Sequence, residues 1–322
     1  MKKYNIYGCV FNVLGKNEIL ISELEKSVGT FWTKADCEFD FEFEMNLECL
    51  ETTECVAPQS AEHGDFYIDY IDMDGIWWID SDGTVVMNCK GVYLFSYNLE
   101  RREVVLLFSN AFLEIANSVI ELLKRVAIQY YFNCGKVAVH SSCIYNKKNN
   151  EAMLYVADSG SGKSSLGVLA EDLKDWVLLS DELNFVNEQS MVLPVMDSIK
   201  ICHEMLYMRE KRIKENFIVS NYSQEKLLIR RKDNTEVRNI KISKMVFLVR
   251  DDCLNDNCYR KATLNEYTSI LYKNIFYGYY FDQSSRNKLL KSVNSIIKGI
   301  KKDILCYPTK NIEEASRLSL KV

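Results

Sequence analysis

Met153-Leu154-Tyr155-Val156-Ala157-Asp158-Ser159-Gly160-Ser161-Gly162-Lys163-Ser164-Ser165-Leu166 is the stretch on which the fold turns. Its first five residues form a continuous apolar run of the length of a buried strand. The next five hold two glycines and no apolar residue, and from Ser164 to Ala170, with Leu173, the pattern becomes that of an amphipathic helix. Strand, glycine-bearing turn and helix in that order are the context a phosphate-binding P-loop requires. Glycines let the backbone curl so that successive amide N–H groups face an anion, the helix N-terminus adds its positive end, and a lysine at the helix start reaches the outer phosphates of a nucleotide. On this reading Asp158, Ser159, Gly160, Ser161, Gly162, Lys163, Ser164 and Ser165 hold phosphate, with Ser164 as a magnesium ligand. Ala157 stands where the usual pattern begins with glycine, a departure of one methyl group.

Downstream, the apolar run Trp176-Val177-Leu178-Leu179 ends in Ser180-Asp181-Glu182. A strand that delivers two acids to the sheet edge holding a P-loop suits metal binding by one carboxylate and removal of a hydroxyl proton by the other. The spacing leaves open which acid does which. Upstream, Val137-Ala138-Val139-His140 reads as the strand before the P-loop strand, with His140 at its end as a candidate for contact with phosphate or substrate. His63 and His203 lack such a context and read as structural. Lys200 is a further candidate for steering phosphate, whereas Arg230, Arg231 and Arg250 read as solvated surface.

Residues 1–110 carry a different signature. Tyr4 to Gly8 reads as an early strand. Short apolar runs at Gly75–Ile79, Thr84–Met87 and Val92–Tyr97 are punctuated by Ser81-Asp82-Gly83 and Lys90-Gly91, as in a meander of antiparallel hairpins. Asp72-Met73-Asp74-Gly75 is a turn rather than a calcium loop, because the register would put Tyr70 at the first ligand position and Ser81 at the twelfth. Apolar residues then recur at helical spacing from Ala111 to Phe132, and Asn133-Cys134-Gly135 supplies a stop. The expected organisation is a β-rich substrate- or partner-binding region over 1–110 and an α/β P-loop domain over 111–322. The latter includes a strand at Met245–Val249, two helices between Thr263 and Gly299, and a strand at Ile304–Tyr307.

Composition bounds the rest. A formal net charge of −5 and the lack of a long basic block argue against a nucleic-acid-coating protein. The N-terminus mixes polar and apolar residues and no uncharged run is long enough to cross a bilayer, so no export and no membrane are expected. Eleven scattered cysteines, among them Cys49, Cys55, Cys253 and Cys258, fit reduced thiols in a cytoplasm and lack the paired spacing of a zinc site.

Three stretches taken together, His140-Ser141-Ser142, Asp158 to Ser164 and Ser180-Asp181-Glu182, resemble in order and spacing the HPr kinase/phosphorylase-like superfamily. The resemblance continues more weakly through Pro194–Lys200 and Met245–Arg250, over roughly residues 112 to 310. It implies a fold related to phosphoenolpyruvate carboxykinase, ATP with Mg2+ as donor, a serine hydroxyl as acceptor, and a place in the active site for His140 beside Lys163, Asp181 and Glu182. It leaves open which acid is the base; the longer reach of glutamate allows Glu182 to be the base with Ser164 and Asp181 on the metal. Glu182 stands where HPr kinases proper carry aspartate, and their longer C-terminal signature is missing, which points away from HPr as substrate. The N-terminal half resembles the divergent branch that accompanies peptide-modifying systems, such as lasso-peptide precursor kinases, and implies a serine on a ribosomally made peptide. A homo-oligomer is compatible with the resemblance, since HPr kinases proper are hexamers. A kinase for a small molecule such as free serine, and a non-catalytic nucleotide-binding regulator, are the two alternatives.

Overall fold

The computed structural model describes residues 2–6, 8–15, 42–49, 62–68, 73–89, 92–109, 118–195, 199–221, 226–231, 239–276 and 283–320. Outside the described residues lie Tyr7, Cys55, Tyr70, Asp72, Lys90, Gly91 and the start of the expected helix at 111–117. The chain divides into two compact units, one formed by residues 1–130 and 277–286 and the other by 131–276 and 287–322.

The first unit is an eight-stranded mixed sheet built from β1 (Lys2–Ile6), β2 (Cys9–Gly15), β3 (Glu42–Cys49), β4 (Glu62–Ile68), β5 (Met73–Ile79), β6 (Val85–Cys89), β7 (Tyr93–Asn98) and β8 (Glu103–Phe108). The spatial order is β1-β2-β3-β8-β7-β6-β5-β4. Strands β4 to β8 are the expected antiparallel meander, and β1 pairs antiparallel with β2. Only β3 departs, running parallel to both β2 and β8. Its period-two pattern is clear, with Phe43, Met45 and Leu47 buried and Glu42, Glu44, Asn46 and Glu48 exposed. Helix α1 (Ser118–Asn133) buries Val119, Leu122, Leu123, Val126 and Ala127, one stripe at helical spacing, and ends at Gly135, whose φ of 76° suits glycine.

The second unit contains β9 (Lys136–Val139), β10 (Ser141–Asn146), β11 (Glu151–Val156), α2 (Lys163–Ala170), β12 (Trp176–Ser180), β13 (Asn184–Asn187), β14 (Met191–Pro194) and β15 (Ile199–Cys202). After these come α3 (His203–Asn216), β16 (Phe217–Asn221), β17 (Lys226–Arg231), β18 (Ile240–Arg250), β19 (Cys258–Lys261), α4 (Leu264–Lys273), α5 (Gln283–Gly299), β20 (Lys301–Tyr307) and α6 (Ile312–Leu320). Its large sheet runs β12-β10-β11-β18-β14-β13-β9, with β20 joined to β18 and β19 to β20. Strands β11, β18 and β20 are parallel; β10 is antiparallel to both β11 and β12. A separate antiparallel sheet has the order β15-β17-β16.

The core of this unit gathers around α2. Leu166, Leu169 and Ala170 pack with Ile144 and Leu178 of the large sheet, Ile199 and Ile201 of the small one, and Ala315 and Leu320 of α6. The carboxyl ends of β11, β12, β18 and β20 share one sheet edge with the start of β10, and the strand–turn–helix β11–α2 opens there. The molecule is thus mixed α/β with two large mixed sheets. Among the described residues no helix is long and apolar enough to cross a membrane.

Candidate functional site

At that edge the turn after β11 is held in shape from several sides. Gly160 and Gly162 take φ of 79° and 86°, conformations that side-chain-bearing residues rarely adopt. Gly162 is also the N-cap of α2 and offers no side-chain cap, so the first-turn amides of the helix lack intrahelical partners and are available to an anion. The Tyr307 hydroxyl, at the end of β20, donates to the Ser161 carbonyl at 2.6 Å, and Arg250 Nη1, at the end of β18, donates to the Gly160 carbonyl at 3.2 Å. Burial pushes the Tyr307 hydroxyl up to about 12, which keeps it protonated and a donor at neutral pH.

Lys163 is buried at the helix start, its Nζ donating to the carbonyls of Ala157 at 2.7 Å and Asp158 at 3.3 Å. Burial lowers its pKa, opposed by the charges of Asp181, Asp158 and Glu182. Asp181 follows β12 and is 7% exposed. One carboxylate oxygen accepts from Ser142 Oγ and the other from Ser164 Oγ, the latter at 2.7 Å. Burial pushes its pKa up, against those two hydrogen bonds and the Lys163 charge. The set of Ser164 hydroxyl and Asp181 carboxylate is all oxygen and partly anionic, the donor chemistry a small hard cation such as Mg2+ takes when phosphates complete its shell.

Glu182 differs from its neighbour in both conformation and exposure. Its φ is 81°, uncommon for a residue with a side chain, and its carboxylate is 29% exposed with Oε2 3.5 Å from Lys200 Nζ. Backbone strain of this kind costs about 1–3 kcal/mol and concentrates at functional positions. His140, Ser159, Gly160, Gly162, Lys163, Ser164, Ser165, Asp181, Glu182 and Lys200 all line one cavity of about 990 Å³. Asp158 is not among the lining residues; it accepts from Asn274 Nδ2 at 3.3 Å and lies 4.0 Å from Lys273 Nζ. Ser161 does not line the cavity either; its carbonyl accepts from the Tyr307 hydroxyl.

Two sequence-based readings change. The strand before the P-loop strand is β10, and His140 lies in the break between β9 and β10 rather than at that strand's end. Its N–H donates to the Asn274 carbonyl at 2.7 Å, and its ring lies 5.6 Å from that of Phe276. Arg250, read as solvated surface, lines the cavity and braces the glycine turn. The side chains of His63, Arg230 and Arg231 lie outside the described residues, and His203 is exposed at the start of α3.

The sequence assigns no role to three contributors, although Ser142 lies in the His140-Ser141-Ser142 stretch. Ser142 shares Asp181 with Ser164, Tyr307 clamps the turn, and buried Asn274 ties the backbone at His140 to the side chain of Asp158. Among the described residues no group of three or more His, Cys, Asp and Glu side chains is clustered as an all-protein metal site. No protein-family model matches the chain, and no curated protein matches it in sequence.

Proposed function

We propose that this chain is a magnesium- and ATP-dependent kinase that transfers the γ-phosphoryl group to a serine hydroxyl of a ribosomally made peptide in a cytoplasmic setting. The observation that carries this reading is the convergence of P-loop amides, Lys163, the Ser164–Asp181 pair and Glu182 on one cavity. Lys163 and the first-turn amides bind the phosphates. Ser164 and Asp181 are the residues that would hold magnesium, which when bound supplies positive charge against the phosphate oxygens.

The different surroundings of the two acids support a division of the roles that the sequence left open. Both oxygens of Asp181 are engaged by serine hydroxyls within the protein, which suits a ligand-holding group. Glu182 is the more exposed and is carried into the cavity by a strained backbone, which suits a base. The acceptor oxygen forms its new bond to the γ-phosphorus, the bond from that phosphorus to the bridging oxygen breaks with ADP leaving, and the hydroxyl proton passes to Glu182. His140, which lines the same cavity, is assigned to assist the base. The peptide acceptor and a partner-binding role for the β-rich first unit follow from the family resemblance.

Calorimetric titration with magnesium-ATP tests the site directly. Wild type and Glu182→Gln should bind with affinities within about threefold of one another, and Lys163→Ala should bind roughly tenfold more weakly or worse. Glu182→Gln should lower phosphoryl transfer by about 100-fold or more. Wild-type affinity in Lys163→Ala would sink the phosphate site, and ATP binding without any phosphorylated product would favour a regulator.

A further inference from the structure

Strands β19 and β20 pair antiparallel, and their register sets Cys258 directly opposite Cys306. Both are free thiols. Residues directly opposite in an antiparallel pair project from the same face of the sheet. Their Cα atoms stand about 4.5–5.5 Å apart, within the roughly 4.4–6.8 Å that a disulfide spans. Among the described strand pairings no other two cysteines are set opposite each other.

The two thiols differ in surroundings. Cys258 is exposed, on a four-residue strand that among the described residues pairs with β20 alone. Cys306 is half-buried; burial, with the neighbouring Cys258 sulfur second, pushes its thiol above its ordinary value. A thiol held protonated is a poor first nucleophile, whereas an exposed one meets a dissolved oxidant first. An accessible cysteine beside a second that can resolve it is the arrangement of a redox sensor. The pair also sits where both strands feed the cavity wall. Cys306 precedes Tyr307, the clamp on the glycine turn. Cys258 follows the turn 251–257, in which Asp252 accepts from the Thr309 N–H at 2.7 Å and Asn257 Nδ2 donates to Glu314 at 3.1 Å. Thr309 and Glu314 line the cavity.

We propose that Cys258 and Cys306 form a reversible thiol–disulfide site, oxidised by a small peroxide. Cys258 Sγ attacks one peroxide oxygen, the O–O bond breaks, and water leaves with the thiol proton, giving a sulfenic acid. Cys306 Sγ then attacks the Cys258 sulfur, the S–O bond breaks, and a second water carries off the Cys306 proton. Two thiols thus lose two electrons to one peroxide, which ends as two waters. The bond fixes β19 to β20 at the root of the two segments that meet in the cavity wall. Small thiols reverse it by exchange, so in a reducing compartment it is transient. This site stands whether or not the cavity transfers phosphate.

The test treats the reduced full chain with an equimolar amount of hydrogen peroxide and blocks the remaining thiols with N-ethylmaleimide. Peptides from the monomer band of a non-reducing gel are then mapped by mass spectrometry. The expected product is a cross-linked peptide pair joining Cys258 to Cys306, lighter by two hydrogens than its parts and separated by dithiothreitol. Cys258→Ser should abolish that cross-link, and Cys253→Ser, which removes the thiol nearest to Cys258 in the chain, should leave its yield unchanged. Cys258 linked to Cys253 or to a second copy, oxidised while Cys306 remains a thiol, or left unoxidised, overturns the assignment.

Discussion

Gly162 sits at φ 86° with the Tyr307 hydroxyl occupying the space where its side chain would project, so Gly162→Ala meets backbone strain and a collision together. The expected loss is roughly 2–4 kcal/mol, read from the urea midpoint. Tyr307→Phe in that background should recover part of it, since the colliding atom is gone. Gly160, at φ 79° with open space around it, should lose only about 1 kcal/mol on the same change. A second expectation concerns pH. Burial raises the Asp181 carboxyl above its ordinary value of 3.8, so the folded chain holds that proton longer than the unfolded one. The resulting contribution to stability is full below 3.8 and declines as pH rises through the folded value. Asparagine carries no such dependence. Asp181→Asn should therefore be the more stable protein at pH 7, with the gap closing as pH falls, and a wild type more stable at pH 7 would contradict a desolvated carboxylate. The residues legible in the sequence were those whose type and spacing a phosphate site dictates, such as Gly162, Lys163 and Ser164. Tyr307 and Asn274 act on the P-loop across 146 and 116 positions of chain, where no local pattern marks them.

At the scale of elements, the segment after β12 shows how a strand end becomes a site. Buried apolar residues bring the chain to the sheet edge, Asp181 turns inward to two serines, and Glu182 adopts a positive φ that aims it differently. Replacing Glu182 by alanine keeps the backbone strain, whereas glycine relieves it. Glu182→Gly should be about 1 kcal/mol more stable than Glu182→Ala in thermal or urea unfolding, although neither carries a base. Equal stability would mean that position 182 is unstrained. The same scale explains which elements were readable. α1 repeats at helical spacing because it has one buried face; β3 alternates for the same reason, although no strand over Glu42–Cys49 was expected. β10 was missed because it lies between β11 and β12 with nearly every residue buried, and its sequence Ser-Ser-Cys-Ile-Tyr-Asn puts polar residues inside. Those serines have partners there: Ser142 bonds Asp181, and Ser141 accepts from Asn184 at 3.1 Å.

Across the whole molecule, every residue placed at the candidate site belongs to the second unit, with Lys200 on the separate three-stranded sheet and the P-loop, Asp181, Glu182, Arg250 and Tyr307 at one edge of the large sheet. That sheet was legible as strands separated by helices, but its mixed direction was not, since apolar runs of similar length serve parallel and antiparallel neighbours alike. The parallel pairing of β3 was hidden for a related reason: its partner β8 lies more than fifty positions away in the chain. Whether the shared edge transfers phosphate is read most directly by mass spectrometry. Purified protein and its Lys163→Ala variant are incubated with magnesium-ATP and a panel of serine-containing precursor peptides, HPr and free serine. A gain of one phosphate on a peptide serine is expected with the wild type and none with Lys163→Ala. Phosphate gained equally with both proteins, or on no acceptor at all, would contradict it.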